Sequence, residues 1–166
     1  MRQQIFAPGQ AVSASELARA GLLQAGEGTH ISRDVVFVPA DQLGTARPVR
    51  LGAGCGVQSY AVVYGGTILR PGARVEEHAV VGKPERGYAV GQVYPGAGAS
   101  TIIGAGAVIR AGTVVYAGAE VGEDVAVGHH TLLRSFRHGG GRVAAWSPSD
   151  GGAGRAHRRS GALLAG

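Results

Sequence analysis

The sequence predicts a parallel β-helix, a coil of short strands stacked turn upon turn, and three observations support this. From Leu51 onward, a branched aliphatic residue recurs at every sixth position in two runs. The residue four places after nearly every such anchor is small or modest in size, and the residue three places after it is most often glycine. Neither an α-helix nor an alternating strand has a six-residue period, whereas a coil of flat strands joined by tight corners does.

The anchors are the residues whose side chains point into the predicted coil. They are Leu51, Val57, Val63, Leu69, Val75 and Val81, then Ile103, Ile109, Val115, Val121, Val127 and Leu133. Three hexads close one coil of 18 residues, and successive coils stack at the strand spacing of about 4.8 Å. Accidental spacing in a Gly-, Ala- and Val-rich chain does not explain twelve anchors that are all Leu, Ile or Val.

Two other positions of the hexad fit the corners of such a coil. The fourth offset fills space beside a corner and holds Cys55, Ala61, Thr67, Ala73, Ala79, Ala107, Thr113, Ala119, Val125 and Thr131. The third offset requires a positive φ, which glycine adopts without steric cost and which Asp and His tolerate better than most residues. Besides glycines, the residues at this offset include His78, Asp124 and His130. A turn role is therefore the simplest interpretation of both histidines.

The chain before Leu51 is less regular. Residues 13–24 predict a short helix with Ser13 or Ser15 as its N-cap, positioned to close the open end of the coil. A six-residue series that runs out of phase with Leu51 follows, at Ile31, Phe37, Leu43 and Val49. We therefore expect an N-terminal cap at 1–28 and a β-helix at 29–134, whose first coil, up to residue 50, is irregular.

The repeat is interrupted once, between the anchors Val81 and Ile103. Their separation is far longer than the single hexad that divides other neighbouring anchors. The excess over one hexad predicts an extruded loop at about residues 84–99. Loops this long within compact domains are usually functional or disordered, and a passive insertion is the alternative interpretation.

The repeat stops after Leu133. Residues 135–166 are rich in Gly, Ala, Ser and Arg, a composition typical of disorder. They hold five Arg and one acidic residue, Asp150, a net charge of +4, whereas residues 1–134 hold eleven basic and ten acidic residues. The high isoelectric point therefore belongs to the tail, and the body of the chain has no signature of nucleic-acid binding.

Composition also excludes several classes of protein. The N-terminus lacks the long apolar run of a signal peptide, and no segment approaches the roughly 20 apolar residues that span a bilayer. A single cysteine, Cys55, excludes a disulfide or a cysteine metal cluster within one chain. We expect a cytoplasmic protein without a metal.

Four segments resemble a known family. They are Ile103–Gly118 (Ile-Gly-Ala-Gly-Ala-Val-Ile-Arg-Ala-Gly-Thr-Val-Val-Tyr-Ala-Gly), Val127–Arg134 (Val-Gly-His-His-Thr-Leu-Leu-Arg), the Val-Gly-Lys-Pro at 81–84 and the Gly-Tyr-Ala-Val-Gly at 87–91. Together they resemble a subset of hexapeptide-repeat acyltransferases that modify sugars and antibiotics. The resemblance covers about residues 30–134. It implies a left-handed coil, a homotrimer with sites in the clefts between subunits, and a loop that folds over a neighbouring active site.

The resemblance also implies an activity and its residues. An acyl group, usually acetyl from acetyl-CoA, would pass to an amine or hydroxyl of an amino sugar, nucleotide sugar or antibiotic-like metabolite. In related sugar N-acetyltransferases a histidine two places after an anchor is the general base, and His129 has that position after Val127. A surface or interface histidine is the alternative, and His78 and His130 are secondary candidates.

The phosphates of the acyl carrier require cations or exposed backbone N–H groups. Lys83, Arg86, Arg110 and Arg134 are the available side chains, and each is equally consistent with a solvated surface charge. If the loop replaces no side of the coil, His78 and His129 belong to one face, two coils and about 10 Å apart.

Other readings of the same fold stay open. A γ-class carbonic anhydrase binds zinc through three histidines, one of which falls five residues after a Val-Gly-His. Here that position is Arg134, and adjacent His129 and His130 are poorly placed for one tetrahedral metal. A non-catalytic scaffold, or an inactive relative shortened by a frame change that produced the Arg-rich tail, is the main alternative. Nucleic-acid binding by the tail is the least favoured.

Overall fold

The computed structural model describes residues 6–41, 44–84 and 99–134 of the 166-residue chain. The described part is a parallel β-helix preceded by one short α-helix. Its strands form three five-stranded parallel sheets, here called faces I, II and III, which the chain visits in that order in each coil. The predicted fold class is therefore confirmed.

Each face takes every third strand of the chain. Face I contains β1 (Leu23–Ala25), β4 (Val49–Leu51), β7 (Thr67–Leu69), β10 (Thr101–Ile103) and β13 (Glu120–Val121). Face II contains β2 (His30–Ile31), β5 (Gly56–Val57), β8 (Arg74–Val75), β11 (Val108–Ile109) and β14 (Ala126–Val127). Face III contains β3 (Val36–Val38), β6 (Val62–Tyr64), β9 (Val80–Lys83), β12 (Val114–Tyr116) and β15 (Leu132–Leu133).

The six-residue anchors form the core, as predicted. Every anchor from Leu51 to Val127 is at most 5% exposed, and Leu133 in the last strand is partly buried. The parallel register places each anchor beside the equivalent anchor of the next coil, as with Val57 and Val75. Because a single coil encloses too little apolar volume to be stable alone, this stacking supplies the stability of the fold.

The corners adopt the backbone conformation that the third offset requires. Along with the glycines, His78, Asp124 and His130 have φ values of 57°, 53° and 53°. Tyr60 also has a positive φ, of 63°, which the sequence did not lead us to expect. A left-handed conformation is costly for an aromatic residue, so the contacts of Tyr60 must offset it.

The N-terminal helix α1 (Ala14–Arg19) is shorter than the predicted 13–24. Ser13 is its N-cap and forms a capping box with Glu16, and these hydrogen bonds hold the pKa of the Glu16 carboxyl below its ordinary value. The helix ends where Gly21 takes a φ of 71°, which turns the chain toward β1. Leu17 is fully buried in the same core as Phe37, so α1 covers the N-terminal end of the coil.

The first coil is regular on two faces. Ile31 and Phe37 lie in register with Val57 and Val63, although the chain between the paired residues is longer than one coil of three hexads. The additional residues fall between β3 and β4, at the corner between faces III and I. Val49 is buried in the same strand as Leu51, and Leu43 lies outside the described residues.

The long loop leaves from this same corner. Val75 lies beside Ile109 in register. The number of residues between them equals one coil of three hexads plus the length of the predicted loop. The chain therefore passes from β9 on face III to β10 on face I without skipping a face. Pro84 and Ala99 are the described ends of the loop, whereas residues 85–98 and the tail at 135–166, with their predicted features, lie outside the described residues.

Within the described ranges, α1 is the only helix, and its six residues are too few to cross a membrane.

Cys55 lies inside the β-helix, 1% exposed, and its Sγ donates to the backbone oxygen of Arg70 at 3.1 Å. Burial raises the pKa of the Cys55 thiol. Its predicted packing role is consistent with this environment.

Cys55 provides a test of the fold. Since only the thiolate is nucleophilic and burial both raises the pKa and blocks access, native protein at pH 8 should react with iodoacetamide far more slowly than unfolded protein. Intact mass measured with and without denaturant reports the modification. Rapid alkylation of the native chain, at the rate of a free thiol, would contradict the buried position.

Candidate functional site

All three histidines singled out from the sequence lie at the corner between faces II and III, here called corner II–III. On successive coils this corner carries Tyr60, His78, Gly112 and His130 at its positive-φ position. Backbone hydrogen bonds between coils connect these positions: the His78 N–H donates to Ser59, the Gly112 N–H to Glu77 and the His130 N–H to Ala111. The residues of this corner therefore form a continuous hydrogen-bonded column along the β-helix.

Two ring contacts order this column. The rings of Tyr60 and His78 stack with centroids 5.2 Å apart and planes 15° from parallel. The His130 imidazole lies over Gly112, because a Cβ built on Gly112 would overlap Nδ1 and lie 2.6 Å from Cε1 of that ring. Gly112 is thus required both for its φ of 70° and for the space it leaves to His130.

His129 is exposed at the last coil of the same corner. Threonine hydroxyls fix the backbone on both sides of it: Thr113 and Thr131 donate to the carbonyl of Gly128 at 2.7 and 2.8 Å, and Thr131 also contacts the carbonyl of His129 at 3.5 Å. The imidazole is therefore presented to solvent from a well-defined backbone.

The sequence correctly placed His78 and His129 on one face, two coils apart. Val75 pairs with Ile109 and Ile109 with Val127, so both histidines follow strands of face II. Two strand spacings separate them by about 10 Å. The two imidazoles consequently act as separate groups within one chain.

Arg110, a candidate for binding carrier phosphate, lies at corner II–III and is already paired. Its Nη1 is 3.3 Å from Glu76 Oε1, and the other carboxylate oxygen accepts from the Ala111 N–H at 3.1 Å. A neighbouring carboxylate, that of Glu77, faces the Gln58 amide, which donates to its oxygens at 2.8 and 3.0 Å when the amide is oriented to satisfy both groups. Arg110 therefore joins two coils, and a phosphate there would compete with Glu76.

The other two described candidates, Lys83 and Arg134, lie at the opposite edge of face III, at the corner with face I. We call it corner III–I. Lys83 lies in register beside Tyr116, and the Arg134 guanidinium carbon is 5.7 Å above the centroid of the Tyr116 ring. Both cations are exposed. The structure thus places two of the predicted carrier ligands beside Tyr116, Lys83 through backbone pairing and Arg134 through its side chain, and Arg86 lies outside the described residues.

Corner III–I also contains a small recess between the two insertions. It is lined by Val38, Ala40, Asp41, Tyr64, Gly65, Gly82, Pro84, Ala99 and Ala117. Pro84 and Ala99 are the two ends of the long loop, so that loop begins and ends at the recess. The nearby Arg47 approaches Gly66, and its Nε is buried without a hydrogen-bond partner in the described chain.

Sequence reasoning missed three features of these corners. Tyr60 was not identified as a corner residue because tyrosine rarely adopts a positive φ. Its position three places after Val57 was a usable signal. Glu76 was missed because its partner Arg110 is one coil and one loop away in sequence. The recess was missed because it depends on both insertions leaving the same corner.

The described residues contain no group of three or more His, Cys, Asp or Glu side chains placed to hold one metal ion. A scan against protein-family models finds no match, and a search of curated proteins finds no significant match.

Gly112 tests the geometry of the histidine column. Gly112→Ala should lower the free energy of unfolding by at least about 1–2 kcal/mol, because alanine is strained in the left-handed region and its Cβ overlaps His130. Chemical denaturation measures this loss, and the imidazole NMR signals of His130 should shift. The control is Gly56→Ala on face II, where a Cβ lies 3.9 Å from its nearest neighbour and stability should change by less than about 1 kcal/mol. Equal effects of the two substitutions would contradict the described contact.

Proposed function

We propose that this protein is an acyltransferase of the left-handed, hexapeptide-repeat type that uses an acyl-CoA, with acetyl-CoA the first choice. The observation that carries the proposal is the gathering of Lys83 and Arg134 around Tyr116 at the corner from which the long loop leaves. These two cations, about two strand spacings apart, suit the separated phosphates of a carrier better than a single arginine does.

The proposed base is His129. The imidazole is exposed, so a ring nitrogen is within reach of an attacking amine or hydroxyl and can accept its proton. As the acceptor amine or hydroxyl attacks the thioester carbonyl carbon, His129 would take the proton from the attacking nitrogen or oxygen. The C–S bond then breaks, and the CoA thiolate leaves with the electron pair and is protonated. The products are the acylated acceptor and free CoA.

The two parts of the proposed site lie at opposite edges of face III in one chain. His129 precedes β15 and Arg134 follows it, so the corner turn at His130 and the width of face III lie between the two residues. In a homotrimer with sites between subunits, the cations of one copy would instead lie near His129 of the next. The proposed acceptor is a small amino sugar, nucleotide sugar or antibiotic-like metabolite. The 84–99 loop would shape the site that binds this acceptor.

A non-catalytic scaffold is the second candidate function. It is favoured by the exposed apolar strand β15, which ends the described coil and carries Leu132 at 54% exposure. A scaffold needs surfaces for partners but no carrier site. The binding of acetyl-CoA therefore distinguishes the two functions.

Carrier binding is tested by calorimetric titration of acetyl-CoA into the full-length chain. Lys83→Ala and Arg134→Ala should each weaken binding roughly tenfold or more, since each removes a charge-assisted contact. The matched control is Arg110→Ala, which removes an arginine already paired with Glu76 and should leave the affinity almost unchanged. Absence of binding to the folded wild-type protein would favour the scaffold.

Catalysis is tested by release of the CoA thiol in the presence of a panel of amino and hydroxyl sugars. With an acceptor that supports turnover, His129→Ala should reduce kcat by about 10²- to 10⁴-fold while leaving acetyl-CoA affinity intact. His30→Ala, another exposed histidine on the first coil, is the control and should retain full activity. Full activity of the His129 variant would remove His129 as the base.

A further inference from the structure

Glu77 and His129 lie in one column of corner II–III, two coils apart. Each is two places after the anchor of its face II strand, and Ala111 holds the equivalent position on the coil between them. Backbone hydrogen bonds confirm this order, because the Gly112 N–H donates to the Glu77 carbonyl and the His130 N–H donates to that of Ala111. Two strand spacings therefore separate Glu77 from His129 by about 10 Å along the β-helix.

The middle of this column carries only a methyl group. Ala111 is partly buried, whereas Glu77 and His129 are both exposed. A small residue between two long ones leaves a gap, here called the Glu77–His129 notch. The imidazole of His130 lies beside it, over Gly112. The notch thus has a carboxylate at one end, the proposed base at the other and small residues at its floor.

The charge of the Glu77 carboxylate is not balanced by a neighbouring cation. Glu76, the adjacent carboxylate, is paired with Arg110, whose Nη1 lies 3.3 Å from Oε1. Glu77 faces the neutral amide of Gln58, and no ion pair joins it to a cation in the part of the chain that the structure describes. The amide orients the carboxylate without cancelling its charge. The notch therefore favours a ligand that donates hydrogen bonds or is cationic, and disfavours an anion.

The length of the notch limits the size of a ligand that touches both ends. Two hydrogen bonds of about 2.8 Å use almost 6 Å of the roughly 10 Å between the two residues. About 4 Å remains, which suits two polar substituents on one sugar-sized ring. Every substituent of such a ring lies within a ring's width of Glu77. A diphosphate attached to it would be brought close to an unbalanced carboxylate, which is unfavourable.

We propose that Glu77 determines the acceptor specificity of the transferase, and that the preferred acceptor is a free diamino sugar and not a nucleotide-linked one. One amine, protonated, binds the Glu77 carboxylate in a charge-assisted hydrogen bond. The other amine, neutral, attacks the thioester carbon and loses its proton to His129 as the nitrogen–carbon bond forms. The carbon–sulfur bond breaks, and the proton passes on to the leaving thiolate.

This assignment rests on the proposed function, since it names the acceptor of that reaction. The notch itself lies within one chain, so its ability to bind an amino sugar depends neither on the carrier nor on how copies of the chain assemble. Binding of the sugar and transfer of the acyl group can therefore be measured separately.

Glu77→Gln removes the charge and keeps the shape of the side chain. With a diaminohexose as acceptor and release of the CoA thiol as the readout, it should raise KM roughly tenfold to a hundredfold and leave kcat nearly unchanged. The matched control is Glu123→Gln, because Glu123 is exposed at the same offset of the corner between faces I and II and should affect neither constant. Wild-type protein should prefer glucosamine to uridine diphosphate glucosamine, and Glu77→Gln should reduce that preference.

Saturation-transfer NMR with the diaminohexose alone separates this proposal from acyl transfer. The full-length wild-type chain and Glu123→Gln should bind the sugar, and Glu77→Gln should not, with circular dichroism confirming that both variants are folded. Binding that depends on Glu77 in a protein without acyl transfer would support the notch and remove the proposed reaction. Unchanged KM and binding in Glu77→Gln, preference for the nucleotide-linked sugar, or no binding of the diaminohexose to folded wild-type protein would overturn the assignment.

Discussion

The structure depends on one constraint, that the chain must turn a corner within each six-residue step. At most corners the turn uses a positive φ three residues after the buried anchor, and glycine, histidine, aspartate and tyrosine provide it here. Once the corners are fixed, every anchor lies beside the equivalent anchor of the next coil, and the apolar interior forms by stacking. Any residue added within a hexad would break this register, so added residues can be accommodated only where a strand has ended.

Both insertions in the described coils satisfy this condition, and both use corner III–I. The additional residues between β3 and β4 and the long loop between β9 and β10 leave the three faces continuous above and below them. The recess lies where the two insertions leave the same corner two coils apart, with Tyr64 and Gly65 of the intervening coil between them. Corner II–III has no insertion, and its polar groups are instead held in a column by stacking, by the ion pair of Arg110 with Glu76 and by the threonine hydroxyls below His129.

The repeat was predictable because it is local: spacing, residue size and the conformational demand of the corner can all be read within six residues. The same reasoning placed His78 and His129 on one face and identified His130 as a corner residue. It failed where the repeat changed phase, since Ile31 and Phe37 appear out of step until the insertion between β3 and β4 is recognised. It also could not separate Lys83 and Arg134 from Arg110, because all three are cations beside anchors and only their neighbours in space differ.

The sequence by itself therefore determined the parallel coil, the identity of its core and the residue types available for chemistry. The tertiary structure decided which of these residues are neighbours. Lys83 and Arg134 are far apart in sequence yet flank the same tyrosine, and Val36 and Leu132 lie in the first and last strands of face III. The physical reason is that stacking converts a separation of one coil, with or without an insertion, into a single strand spacing of about 4.8 Å. Lengths of loops, and hence long-range neighbours, become defined only when the coils are in register.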